Sequence, residues 1–279
     1  MTTQYAAFSK GEPISPGTFT MTQADLPSIA RLRAASSPAG VPVFNVGILV
    51  GPGFLPMDMV GVQTVFGMLP GVRVHLLWKT RDLVEGYPNW WTRPTTTFAD
   101  CPEKLDVLAI PMLPPEVQND PEVIAFVAEK AGTASYVIGI CMGVLLLGAA
   151  GVLDGRRVTA SHNALPILDK LGTREVVLGG AGTVVDGNLY TAGPGVGSFE
   201  TALLVAEAAF GRTAAEFAEL VIEYDPHPPF GVGTAQAAPP ALVTQLEEMM
   251  QPLADEYAQG SVTAFAAAHA GKEAAAERS

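Results

Sequence analysis

The sequence predicts an α/β fold organised around a mostly parallel sheet. Short, nearly continuous apolar runs are bounded by Gly or Pro, as expected for strands buried on both faces. These runs alternate with helical segments, the pattern that covers a sheet with helices on both sides. One run passes directly into a helix through Gly139-Ile140-Cys141-Met142-Gly143, where flanking glycines permit a sharp turn.

Residues 1–40 are rich in Ser, Thr, Pro and Ala without a sustained period. They read as an N-terminal extension with one short helix near Ala24–Ala34. An α/β domain is expected over residues 41–232. Val43–Val50 is its first strand, closed by Gly51-Pro52-Gly53. A helix over Met59–Leu69 and a strand over Val72–Trp78 follow. Leu105–Ile110 reads as the next strand, stopped by Pro111, and Glu122–Ala131 as a helix with Pro121 in its first turn. Tyr136–Ile140 is a further strand and Gly143–Ala150 a helix, with Gly151 near its end. Val158–Ala160 and Val176–Leu178 suggest short strands. Thr183–Val185 and Leu189–Thr191 form a hairpin around Asp186-Gly187-Asn188. Ser198–Phe210 is an apolar helix. Residues 233–279 are expected as a C-terminal helical extension, with a long helix over Pro240–Gln259 and a fraying tail over Ala264–Ser279.

With 48% hydrophobic residues the chain can bury a sizeable core. Its 16 Lys and Arg against 28 Asp and Glu leave a formal charge of -12. That balance, without a basic stripe, argues against a nucleic-acid partner. Two cysteines, Cys101 and Cys141, make no disulfide framework and fit a reducing compartment. The first residues have no secretory pattern, and the most apolar segment, Tyr136–Leu153, reads as a buried strand and helix instead of a membrane span. A cytoplasmic location is therefore expected. The scarcity of His and Cys clusters argues against a zinc site.

The turn at Cys141 carries the chemistry. It has the form of a nucleophile elbow with Cys in place of Ser. A helix N-terminus beside the sulfur favours the reactive thiolate. The alternative is a buried structural cysteine, a common fate of free Cys; the short motif alone leaves both open.

Ile140-Cys141-Met142-Gly143 continues through Val144 to Val152, then Leu153-Asp154-Gly155-Arg156-Arg157-Val158-Thr159-Ala160-Ser161-His162. This stretch resembles the ThiJ/PfpI superfamily, of class I glutamine-amidotransferase-like, flavodoxin-like three-layer fold, and within it the isonitrile (cyclohexyl-isocyanide) hydratases. Supporting blocks include Val74–Lys79, Thr97–Pro102, Leu105–Pro111, Asp186–Leu189 and Glu223–Phe230. The resemblance runs from about Val43 past Phe230 and implies that Cys141 is the nucleophile. It implies an acidic partner on the first strand–helix connection, here Asp58 in Leu55-Pro56-Met57-Asp58-Met59. It implies a small-molecule substrate and no metal or organic cofactor. Read without it, Asp58 is a solvated loop acid or a helix cap.

Two departures stand out. Hydratases of this kind carry a hydroxyl residue after the cysteine, where this chain has Met142, a side chain without a donor. The family Gly-Gly pair after the third strand is replaced within Pro111-Met112-Leu113-Pro114-Pro115. Met112 and Leu113 thus join the expected pocket or oxyanion site, and both changes imply a more apolar one. The protease-like branch places His after the cysteine, so Met142 also argues against that dyad. His162 stands near the end of the next short strand, either at the site or as a structural hydrogen-bonding residue. Gly193-Pro194-Gly195-Val196-Gly197 lacks the Gly-Lys-Ser/Thr ending of a phosphate loop and reads as a close backbone approach to the pocket, with Gly193 at its wall. Trp90 and Trp91 are a pocket lid or plain packing. Cys101 and His75 read as structural.

The expected function is thus a cysteine-dependent hydratase or related enzyme on a small apolar substrate or a bulkier metabolite. The alternative is a non-catalytic ligand- or redox-sensing protein using Cys141. A transcriptional regulator is disfavoured, because little chain follows the core and the tail is not basic. A homodimer is expected from the apolar stripe Ala241, Leu242, Leu246, Met249, Met250 and Leu253.

Overall fold

The computed structural model describes residues 42–180 and 182–276, together with Pro27, Ser28 and Arg31. Most of the short helix expected near Ala24–Ala34 lies outside the described residues. The chain begins with β1 (Phe44–Leu49), α1 (Pro56–Gly67) and β2 (Val72–Trp78), then a hairpin of β3 (Val84–Gly86) and β4 (Trp90–Thr92), and β5 (Thr96–Thr97). Next come β6 (Val107–Ile110), α2 (Pro115–Gln118), α3 (Pro121–Thr133), β7 (Tyr136–Ile140) and α4 (Gly143–Ala149). β8 (Arg157–Val158), a 3-10 turn (His162–Ala164), α5 (Leu165–Leu168) and β9 (Glu175–Val176) follow. β10 (Val184–Asp186), β11 (Leu189–Ala192), α6 (Val196–Phe210), α7 (Arg212–Val221) and α8 (Pro240–Ala276) complete it.

The main sheet has the order β10-β11-β7-β6-β1-β2-β5. Every pairing is parallel except β10 with β11, the expected hairpin. The interior strands β1, β6 and β7 end in fully buried runs, so both faces are covered and continuous apolar sequence is what they need. The fold is the mostly parallel α/β architecture expected. Helices α1, α6 and α7 pack together on the sheet, and α3, α4 and α8 form a second group.

Local rules account for the element ends. The Asp120 side chain accepts hydrogen bonds from the N–H groups of Glu122 (2.9 Å) and Val123 (3.2 Å), capping α3, and Pro121 occupies its first turn. Val123, Phe126, Val127, Lys130 and Ala131 then form its buried face at helical spacing. The strand expected from Leu105 starts at Val107, because Asp106 turns its carboxylate to accept from the Asn45 N–H at 2.7 Å. The β3–β4 hairpin was not expected: its strands have only three residues each, too few for a period to register. Trp90 is exposed there, beside Met57 and Tyr87 in a surface groove away from Cys141, so it is no lid over that cysteine. Trp91 lies outside the cavity wall around Cys141 as well.

The long helix runs past Gln259 to Ala276, through the internal Pro252. Burial of one side explains the extension, since Tyr257 and Ser261 are fully buried and Phe265 packs on the core. The apolar stripe that suggested a partner subunit is partly used inside the chain. Leu242, Leu246 and Met250 line the cavity at Cys141, and Leu253 packs on the core, but Leu242 and Leu246 are exposed, as is Met249. The Tyr257 hydroxyl donates to the Leu113 carbonyl, pinning α8 to the turn after β6. Tyr257→Phe removes the donor and leaves a buried carbonyl unpaired. It should lower unfolding stability by about 1–3 kcal/mol, measured by denaturant titration. Among the described residues no helix is long and apolar enough to cross a membrane.

Candidate active site

Four adjacent strands, β11, β7, β6 and β1, point their carboxyl ends at one place. In an open parallel sheet this is the edge where ligands bind, and the order reverses between β1 and β6. β7 delivers Cys141, which adopts φ 59°. A non-glycine residue in the left-handed region is strained and must be held there. The hold is visible: the Cys141 N–H donates to the Ala192 carbonyl at 3.0 Å, and α4 starts immediately after Met142. Gly143 is required by close approach, since a Cβ there would lie 2.4 Å from the Ile110 carbonyl oxygen.

Asp58 comes from the first turn of α1 and is 1% exposed. Its Oδ1 accepts from the Gly195 N–H at 2.9 Å and its Oδ2 from the Met112 N–H at 3.2 Å. The Leu55 N–H donates to the Met112 carbonyl at 3.0 Å, tying the two loops together. The carboxyl and the Cys141 thiol are close enough to act on each other electrostatically. Burial raises the Asp58 pKa to about 6, against the pull of the Gly195 and Met112 donors. Burial, and then the Asp58 charge, push the Cys141 thiol far above its ordinary range. The Met142 N–H and the Ser161 hydroxyl oppose this only in part. The thiolate expected from the helix N-terminus is therefore not the resting state. Burial thus favours the proton staying on sulfur, with the Asp58 carboxyl as its neighbouring acceptor.

Cys141 sits in the wall of a cavity of about 440 Å³. Met112, Met142, Gly193 and His162 line it. Leu113 does not. It is fully buried in the core, and only its carbonyl has a specific partner, Tyr257. Nor is the Met112 N–H a free oxyanion donor, since it is committed to Asp58. His162 stands at the rim with Nε2 2.8 Å from Glu247 of α8, so its polar contact joins loop to helix. Cys101 is half-buried against the core, and burial raises its pKa too. His75 is buried between Thr96 (2.9 Å) and Asn45 (3.2 Å), consistent with a structural role.

Three contributors were missed. Gly195 supplies a backbone N–H to Asp58 from a left-handed conformation, φ 63°; the glycine-rich loop signalled a close approach but not its target. The α8 residues Leu242, Val243, Leu246 and Met250 form one cavity wall. Their helical spacing was legible, but not which surface they cover. Ser161 lines the same cavity, and nothing in the sequence marked it.

Fold and site together define a class: a doubly wound α/β protein with a cysteine elbow and a buried acid from the first strand–helix connection. The pattern of the DJ-1/PfpI family matches residues 45–208, and the chain belongs to that family. It is similar to the isonitrile hydratase of Pseudomonas putida, with 36% identity over 214 residues, covering 75% of this chain and 90% of that protein. A crystal structure of a ThiJ/PfpI family protein from Pseudomonas syringae superposes with TM-score 0.74 and 28% identity, over 88% of this chain and 98% of that one. A cysteine-to-alanine mutant of a DJ-1 superfamily protein from Salmonella typhimurium shares the fold, with TM-score 0.56, 23% identity and coverage of 66% of this chain and all of that one (100%).

Proposed function

We propose that the protein is a cysteine-dependent hydratase that needs no cofactor and converts isonitriles with bulky apolar substituents into N-substituted formamides. The observation that carries this reading is the elbow cysteine Cys141 at φ 59° in the wall of a mainly apolar cavity, with the buried Asp58 carboxyl acting on its thiol. An isonitrile R–N≡C combines an apolar group with a small reactive carbon. The carbon must gain a proton and a nucleophile, and the pair holds both. Asp58 takes the thiol proton and passes it to the terminal carbon, while the sulfur attacks the same carbon. The product is the thioimidate R–N=CH–S. Water adds across C=N to give R–NH–CH(OH)–S. The C–S bond then breaks, the sulfur regains a proton, and R–NH–CHO leaves. Overall one water is consumed for each isonitrile.

The walls set the preference among isonitriles. Met112, Met142, Leu242, Val243, Leu246 and Met250 offer polarizable apolar surface to R. A small R fills little of it and gains little binding energy. Met142 also withholds the hydrogen bond that a hydroxyl would give, which costs roughly ten- to a hundred-fold in rate where the bond forms only in the transition state. Cyclohexyl isocyanide should therefore be hydrated measurably and methyl isocyanide much less. Met142→Thr should raise the methyl isocyanide rate at least several-fold. Formamide formation followed by nuclear magnetic resonance tests both. If no isocyanide gives formamide, this reaction is wrong; if Thr lowers turnover, the reasoning about Met142 is wrong. A redox sensor fits less well, because Cys141 is 6% exposed and its thiol resists ionisation.

A further inference from the structure

Ser161 is 9% exposed, and its Oγ is buried without a hydrogen-bond partner. Its backbone is pinned on both sides. The Thr159 N–H donates to Thr191 Oγ1 at 2.9 Å, the Thr159 hydroxyl donates to the Val177 carbonyl at 2.8 Å, and the Ser161 carbonyl accepts from the Ala164 N–H at 2.9 Å. The segment is thus held by hydrogen bonds on either side of the Ser161 hydroxyl, which shares the cavity wall with Cys141. A buried, unpaired hydroxyl costs stability and requires a reason. An apolar side chain would suit a structural role at this place better.

We propose that Ser161 is the hydrogen-bond donor to the Cys141 sulfur when that sulfur carries charge. The assignment rests on Cys141 being the nucleophile, as proposed above, but not on the identity of the substrate. In the resting structure the Ser161 hydroxyl has no hydrogen-bond partner. Once Asp58 takes the proton, the sulfur becomes a strong acceptor, and the unpaired Ser161 hydroxyl shares its cavity wall. The hydroxyl belongs to a fixed loop, so it reorganises little when the charge appears.

The test is alkylation of Cys141 by iodoacetamide at fixed neutral pH, in a Cys101→Ala background, with the labelled peptide identified by mass spectrometry. Ser161→Ala should slow labelling roughly ten-fold, the effect of one hydrogen bond to a charged acceptor, and Ser161→Thr should restore it. The melting temperature of Ser161→Ala should stay unchanged or rise, since it removes an unpaired buried group. Equal labelling in all three proteins overturns the assignment. So does a clear loss of stability in Ser161→Ala, which would make the hydroxyl structural. If the labelling pattern holds while no isocyanide is hydrated, the reaction proposed above falls and the Ser161 assignment stands.

Discussion

Cys141→Ala is expected to abolish isocyanide hydration, by roughly four orders of magnitude or more, while leaving the fold intact. The size follows from the role. The sulfur forms the bond that splits the reaction into two steps, and among the described residues no other thiol, hydroxyl or amine is paired with the Asp58 carboxyl. The substitution removes one buried atom from a cavity wall, so stability should change little beyond the lost packing. Cys141→Ser keeps the shape but offers a hydroxyl that the carboxylate cannot deprotonate to a useful extent, and it should be nearly as inactive. Single-turnover formamide formation, with circular dichroism to check the fold, measures both. Substantial turnover by Cys141→Ala would remove the covalent route.

Asp58→Asn should lower turnover by about 10²- to 10⁴-fold, the range typical of losing a general acid–base group. It should also reveal a linkage between function and stability. The folded carboxyl titrates at about 6, above the ordinary carboxylate value of 3.8, because burial disfavours the charge. The folded state therefore holds this proton more tightly than the unfolded chain does. That contribution to stability is fully present below pH 3.8 and is lost as pH rises through about 6. The loss is on the order of 3 kcal/mol for a shift of this size. Asn has no such titration. The stability of wild type relative to Asp58→Asn should therefore fall by that order between acidic and neutral pH, as measured by urea unfolding at both. A constant difference would mean that the carboxyl is not desolvated as the structure places it.

The polar cost at this site has a counterpart in its backbone. Cys141 is held at a positive φ, and Asp58 is kept in place by two main-chain donors from different strand ends. Such strain and burial persist only where surrounding structure over-determines them. Here it does, through the contact of Gly143 with the β6 turn and the pinning of α8 by Tyr257.

Sequence alone determined the parallel core, because buried strands need unbroken apolar runs, and those of β1, β6 and β7 are visible as such. It also determined the elbow, since a strand can enter a helix this sharply only with glycine beside the turn, and it offered Asp58 through the resemblance. The three-residue strands of the β3–β4 hairpin were illegible because two or three side chains carry no period. Only the tertiary structure decided which residue of Met112-Leu113 faces the cavity, since adjacent side chains leave a turn in different directions. Only the structure placed part of the α8 stripe in the cavity wall, because periodicity identifies an apolar face but not what covers it. The protonation of Cys141 was likewise a tertiary matter. A helix N-terminus is a local feature and favours the thiolate, but desolvation and the Asp58 charge come from packing of distant segments, and they outweigh it.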